Sequence, residues 1–208
     1  MSRIIFHKEL FDFDSKLREV NPIICGVDEA GRGPLAGDVY AAAVILNDNV
    51  KIDYLNDSKK ISEKRREELF DVIIEKADSY CIATASVDEI DEYNILNATL
   101  LAMKRAVQGL GFIPNLALID GNKSPGLGFE TQCVIKGDAN SASIAAASVL
   151  AKVSRDRYMK RLAEEYPQYA FDKHKGYGTK LHYEMISKHG ISQIHRKTFL
   201  KKLYDEKK

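Results

Sequence analysis

The 208-residue chain is predicted to be an α/β domain built around a central sheet. Three observations carry this. Short apolar runs bounded by glycine and polar residues alternate with segments of helical periodicity over most of the length. A hydrophobic content of 45% suits one well-cored domain and argues against disorder. The longest apolar runs, such as Val39–Leu46 and Leu116–Ile119, are far too short to span a bilayer.

In order along the chain, a polar helix is expected around Asp14–Val20, then a strand over Ile23–Asp28. The glycine-rich loop Gly31-Arg-Gly-Pro-Leu-Ala-Gly37 leads into a second strand, Val39–Leu46. Ser62 is an N-cap candidate for a helix to about Ala77, with Leu69, Ile73 and Ala77 at helical spacing. Tyr80–Val87 returns as a strand. Leu96, Leu100, Met103, Val107 and Leu110 mark one face of a helix that Gly109 and Gly111 help to end. Leu116–Asp120 and Thr131–Lys136 read as short strands. A long helix, roughly Asn140 to Glu165, starts with small residues, becomes basic and stops before Pro167. A further helix runs from Thr179 to Lys188. Residues 1–208 are expected to form a single domain, with about 171–208 as a helical, basic C-terminal extension.

The net charge of +1 hides an asymmetry. Residues 1–151 hold 16 Lys/Arg against 23 Asp/Glu, and residues 152–208 hold 15 against 7. An acidic larger part and a basic tail suit a site that meets a polyanion, although the same charges also fit a solvated helical surface. Four of the five histidines lie at 174, 182, 189 and 195 without a metal-binding spacing, so surface or phosphate-contacting roles are expected for them. Cys25, Cys81 and Cys133 lack paired spacing and fit buried, reduced thiols in a cytoplasmic protein. The N-terminus soon meets Glu9, Asp12 and Asp14 and lacks the apolar core of a signal peptide.

Four acids stand at element ends: Asp28 and Glu29 after the first strand, Asp120 after a later one, and Asp138 before the long helix. Clustered carboxylates are the hard oxygen ligands that Mg²⁺ or Mn²⁺ selects. In a regular strand Asp28 and Glu29 face opposite sides, so sharing one site is expected to need a bend, which the nearby glycines permit. Gly31-Arg32-Gly33 lets backbone groups approach a ligand closely, and on its own also fits a tight turn. Tyr177, between Gly176 and Gly178, is expected to face solvent.

Asp28-Glu-Ala-Gly-Arg-Gly-Pro-Leu-Ala-Gly37 resembles the signature of ribonuclease HII, the prokaryotic type 2 ribonuclease H. So do Asp57-Ser-Lys59, Ile119-Asp-Gly-Asn122, Lys136-Gly-Asp138, the run from Ser143 to Asp156, His174-Lys-Gly-Tyr-Gly-Thr179 and His195-Arg196, all in the family's order. The resemblance implies a ribonuclease H-like fold, a central mixed sheet flanked by helices. It implies an endonuclease that hydrolyses the RNA strand of RNA–DNA hybrids and cuts 5′ of single ribonucleotides in duplex DNA, leaving 3′-hydroxyl and 5′-phosphate ends. By the same resemblance Asp28, Glu29, Asp120 and Asp138 hold two divalent cations, Mg²⁺ or Mn²⁺. Gly31, Arg32 and Gly33 read the 2′-hydroxyl, Lys59 binds a phosphate, and Tyr177 stacks on the deoxyribose 3′ of the ribonucleotide.

Ser143, Ser148 and Lys152 are expected along one face of the long helix; Ser143 and Ser148 suit a bond to the helix backbone or to a substrate phosphate, and Ser143 is assigned to substrate binding. Lys173, Lys175, Lys180, Arg196, Lys197, Lys201 and Lys202 are expected to track the duplex backbone, so that binding weakens with salt. Where the family usually has Gly-Pro this chain has Gly37-Asp38, which either places a further acid near the metal loop or caps the following strand. A monomer is expected; the sequence names no protein partner. The rival readings are another two-metal nuclease of related fold and a catalytically silent nucleic-acid-binding module. The sugar-reading motifs and the full set of four acids separate the first reading from both.

Overall fold

Val39–Ile45, an unbroken apolar stretch, forms strand β2 in the interior of the sheet. Ala42 and Val44 join one core cluster while Val39, Ala41, Ala43 and Ile45 join another, so this strand is covered on both faces. The computed structural model describes residues 5–205, with side chains to Lys201. Residues 1–4 and the Lys202 side chain lie outside that description.

Strand β1 (Ile24–Ala30) pairs antiparallel with β2, which pairs antiparallel with β3 (Ser79–Ala85). On its other side β1 pairs parallel with β4 (Leu116–Asp120), and β4 parallel with β5 (Glu130–Val134). The order β3-β2-β1-β4-β5 makes a mixed sheet. Helices α1 (Lys8–Arg18), α2 (Glu63–Lys76) and α4 (Ala142–Glu165) cover one face, and α3 (Val87–Gln108) covers the other.

Ser62 caps α2 as expected, accepting from the Arg65 N–H at 3.3 Å. The opening helix starts earlier than expected, because Leu10, Phe13 and Leu17 recur at i, i+3, i+7 among acids and all three pack inward. Helix α3 also starts earlier, at a capping box of Ser86 and Glu89. It kinks at Asn94, whose side chain accepts from the Leu96 and Asn97 N–H groups and restarts the helix. Past residue 170, α5 (Phe171–His174), α6 (Lys180–His189) and α7 (Lys197–Asp205) bring Phe171, Ile186 and Leu200 against Met159 and Leu162 of α4.

Helix α4 lies so close to β1 that a Cβ on Gly26 would overlap the Ser143 backbone. The alanine run 145–147 keeps that approach open. Its N-terminus is anchored by buried Asp14 of α1, which accepts from Ser141 Oγ (2.6 Å), Ser143 Oγ (2.7 Å) and the Ser143 N–H (2.8 Å). Asp14→Ala should cost about 2–4 kcal/mol by denaturant unfolding, because three buried donors lose their acceptor. A loss below about 0.5 kcal/mol would remove Asp14 as the anchor.

Among the described residues no helix is long and apolar enough to cross a membrane. All three cysteines are free, but only Cys25 is buried; Cys133 on edge strand β5 is exposed, against the expectation for it.

Candidate active site

Strands β1 and β4 run parallel with Val27 beside Ile119, so Asp28 and Asp120 follow at adjacent C-terminal ends. That end of a parallel pair is where open α/β sheets place ligand chemistry. The expected bend after Asp28 is absent: β1 stays paired with β2 through Ala30. Both Asp28 and Glu29 line one cleft because β4 stops at Asp120, leaving β1 without a neighbour on that side. The cleft has a volume of about 230 Å³. Gly31, Arg32, Gly33, Lys59, Ser148 and Tyr177 line the rest of it.

Burial pushes the Asp28 carboxyl well above the ordinary carboxylate range, and the charges of Glu29 and Asp120 add to it. Glu29 is raised by burial and by Asp120, against the opposing pull of Arg32, whose guanidinium lies 3.4 Å away. Asp138 is raised to about 6 by burial and by Asp57 and Asp120. Asp120 accepts a 2.6 Å hydrogen bond from the Gly137 N–H, which ties β4 to the turn carrying Asp138. Asp28, Glu29 and Asp138 each feel the charge of Asp120, and Asp138 also that of Asp57, an acid the sequence marks only as part of the Asp57-Ser-Lys59 motif. Lys59 stands 3.9 Å from Asp138. Burial alone would lower its ammonium, but the surrounding carboxylates hold it above its usual value.

Among the described residues no three His, Cys, Asp or Glu side chains close into a ready-made ligand cage. The donor set nonetheless fits a hard divalent cation. It is all oxygen, and Asp28, Glu29 and Asp138 are each raised in part by a neighbouring carboxylate, a repulsion that a cation among them relieves.

Ser148 lies beside the Asp28 carboxylate and lowers its proton affinity, and its Oγ meets Ser58 Oγ at 2.9 Å. Ser148, Lys152 and Arg155 recur at i, i+4, i+7 on α4 and share the cleft face. Ser143, five positions before Ser148, falls off that stripe. It is fully buried with its hydroxyl spent on Asp14, so the expectation that it contacts substrate phosphate is corrected. Asp38 is also accounted for: its carboxylate accepts from the Val87 N–H at 3.1 Å, at the start of α3.

The glycine loop is organised from beneath by two buried arginines. Arg196 donates to the carbonyls of Gly31 (2.7 Å), Arg32 (2.9 Å) and Gly37 (2.6 Å). Arg155 donates to those of Ala36 (3.2 Å), Asp38 (3.2 Å) and Lys175 (3.1 Å). In a trans peptide the N–H points opposite to the C=O. With the Gly31 and Arg32 carbonyls turned toward Arg196, the N–H groups of Arg32 and Gly33 turn away from it, toward the cleft. Arg196 is fully buried, which corrects its assignment to the phosphate-tracking basics. The lysines at 173, 180, 197 and 201 are exposed, and Lys175 is half-buried.

Gly31 has φ +102°, and a Cβ there would collide with the Arg155 side chain. Gly33 is different: its nearest neighbour would be Tyr177 Cε1 at 3.7 Å, so the space above it is open. Tyr177 is exposed, as expected, with the Arg155 guanidinium carbon 6.0 Å from its ring centroid. The histidine expectation fails for three of four. His174, His182 and His195 are buried, and only His189 is exposed.

The ribonuclease HII family model matches residues 25–204. The chain is 58% identical over 177 residues to ribonuclease HII 1 of Methylibium petroleiphilum, covering 85% of this chain and 89% of that one. It is 50% identical over 202 residues to ribonuclease HII of Caldicellulosiruptor bescii, covering 97% and 98%. Among solved structures it resembles ribonuclease H2 of Pyrococcus horikoshii, with a TM-score of 0.71, 27% identity, and 85% and 93% coverage. It also resembles the ribonuclease HII of Archaeoglobus fulgidus solved in a complex with PCNA, with a TM-score of 0.66, 25% identity, and 84% and 93% coverage. A match across nearly the whole chain, on a sheet of the same architecture, means that this protein belongs to the ribonuclease HII family and is a ribonuclease H endonuclease.

Proposed function

We propose that this enzyme hydrolyses the RNA strand of RNA–DNA hybrids and incises 5′ of single ribonucleotides in duplex DNA, leaving 3′-hydroxyl and 5′-phosphate ends. The observation that carries this reading is that one cleft brings together Asp28 and Glu29, the glycine loop with its outward-turned N–H groups and an exposed tyrosine, with Asp120 at the adjacent strand end. Asp28, Glu29, Asp120 and Asp138 would hold two divalent cations, Mg²⁺ or Mn²⁺. When bound, such a pair activates a water and stabilises the leaving oxygen.

The chain's own residues do the rest. The Arg32 and Gly33 N–H groups donate to the 2′-oxygen, the atom that separates RNA from DNA. Gly33 leaves the sugar room to approach. Tyr177 packs against the neighbouring deoxyribose, and Arg32 and Lys59 neutralise phosphate charge at the cleft rim. Ser148 orients the Asp28 carboxylate. The exposed lysines of the C-terminal part meet the duplex backbone, so affinity falls steeply with salt. We propose that the enzyme acts in the cytoplasm and as a monomer.

The test is cleavage of duplex DNA containing one ribonucleotide beside an all-DNA control, with Mg²⁺, with Mn²⁺ and with chelator. Cutting only the ribonucleotide duplex, only with metal, and at its 5′ phosphodiester is expected. Equal cutting of both duplexes, or undiminished activity in chelator, would sink the reading.

A further inference from the structure

Three buried histidines surround the turn that carries Tyr177, and the function above uses none of them. Their partners determine every proton. A backbone carbonyl can only accept, so His182 Nδ1 must carry the hydrogen it shares with the Tyr177 carbonyl at 3.0 Å. In the neutral ring His182 Nε2 is then bare and must accept from His195 Nε2–H, 3.1 Å away. His195 Nδ1 is bare in turn, and accepts from the Ser192 N–H (3.0 Å) and Ser192 Oγ (2.8 Å). His174 completes the set, with Nε2–H donating to the Tyr169 carbonyl at 2.8 Å and bare Nδ1 accepting from the Gly176 N–H at 3.2 Å. Only one arrangement of neutral tautomers satisfies all of these bonds.

The surroundings keep the rings in that state. Tyr169 and Phe171 pack against His195 and His182 with centroids 4.8 and 5.5 Å apart, and His174 stacks on His182 at 4.3 Å. Burial lowers all three imidazoles, His182 and His195 to about 4. A charged His182 would set two N–H groups head to head across the 3.1 Å contact with His195.

The relay connects the two substrate-reading elements. At one end it grips the Tyr177 carbonyl, which also accepts from the Thr179 N–H at 2.8 Å. At the other, His195 pairs with Ala36 in a β-bridge, and the next residue is Arg196, which holds the glycine-loop carbonyls. Tyr177 is exposed, with its ring edge near Gly33, and the relay holds its backbone from behind.

We propose that His182 is a positioning residue that sets Tyr177 over the glycine loop through a histidine relay of fixed tautomers anchored on Ser192. This rests on the reading of Tyr177 as a sugar contact. His182→Phe fills the volume without a donor, and His182→Asn restores a donor near the Nδ1 position. For His182→Phe, kcat/KM on a single-ribonucleotide duplex is expected to fall about tenfold, with a much smaller loss on a long RNA–DNA hybrid. His182→Asn should recover most of the difference. In wild-type protein at pH 7, long-range proton–nitrogen correlations of ¹⁵N-histidine should show His182 as the Nδ1–H tautomer and His174 and His195 as Nε2–H.

Wild-type substrate preference in folded His182→Phe, or any of the three rings in the opposite tautomer, would overturn the proposal. Should His182→Phe fail to fold, the tautomer spectrum and the preference of His182→Asn decide it. Should wild-type enzyme cut the all-DNA control equally, the function reading falls separately, and the spectrum still decides the relay.

Discussion

Asp28→Asn is expected to lower kcat by about a thousandfold or more and, at neutral pH, to raise the melting temperature. The first half follows from removing a charged oxygen from the centre of the acid cluster, since transition-state charge stabilisation of this kind is worth several kcal/mol. The second half follows from what the carboxylate costs the fold. Asp28 is buried beside Glu29 and Asp120, and folding raises its proton affinity.

A carboxyl raised by folding binds more protons in the folded state than in the unfolded one. Its stability penalty is therefore absent below the usual carboxylate range, grows as pH rises through the interval up to the folded value, and stays constant above. Asn cannot ionise, so the gain in Asp28→Asn should be present at pH 8 and vanish near pH 4. Each kcal/mol relieved moves the melting temperature of a chain this size by about 2–4 °C. Asn also keeps the acceptor for the Glu29 N–H, which bonds Asp28 Oδ1 at 2.7 Å. Added Mg²⁺ should stabilise wild type more than the variant, because the cation relieves the same repulsion. Thermal melts at pH 4 and pH 8 with a cleavage assay check all of this. A variant that is inactive but no more stable at pH 8 would mean that Asp28 is not repelled by its neighbours.

The second large effect separates the two glycines of the loop. Gly31→Ala is expected to lose about 3 kcal/mol of stability together with most activity. It would force a side chain into φ +102°, and its methyl would displace Arg155, which holds three carbonyls of the surrounding loops. Gly33→Ala should leave stability within about 0.5 kcal/mol, because no strained φ or close neighbour opposes its methyl. It should nevertheless lower kcat/KM on ribonucleotide substrates about tenfold to a hundredfold, because the methyl occupies the space where the sugar would sit. Denaturant unfolding and initial rates on both variants decide this. Full activity in a folded Gly33→Ala would remove the loop from sugar recognition.

Much of the site was legible because its signals are local. Asp120 closes one apolar strand and Asp28 follows the apolar run of another, and those runs identify the strands without any knowledge of their partners. Ser62 announced its helix because a cap and the helix it starts are adjacent in sequence. The joint presence of Gly31, Gly33 and Tyr177 in one cleft with Asp28 and Glu29 was expected from an ordered set of motifs. Three features were not legible. Ser143 and Ser148 look alike on paper, but Asp14, 129 residues away, consumes the first and leaves the second to Asp28. Arg196 read as one more basic residue in a basic tail, yet its guanidinium sits under Gly31, 165 residues earlier. The histidines showed no metal spacing, and nothing in their intervals indicates that three of them pack together around the turn that carries Tyr177.

The division has a single physical cause. Hydrophobic periodicity, caps and turn glycines act over a few residues, so the chain alone specifies the α/β order and places acids at strand ends. The role of a buried polar side chain depends on which donor or acceptor meets it after burial, since the cost of leaving it unpaired forces a partner but does not name one. For Asp14, Arg155, Arg196 and the histidine relay those partners lie across the fold. Only the packed tertiary structure decided that they support the site from behind.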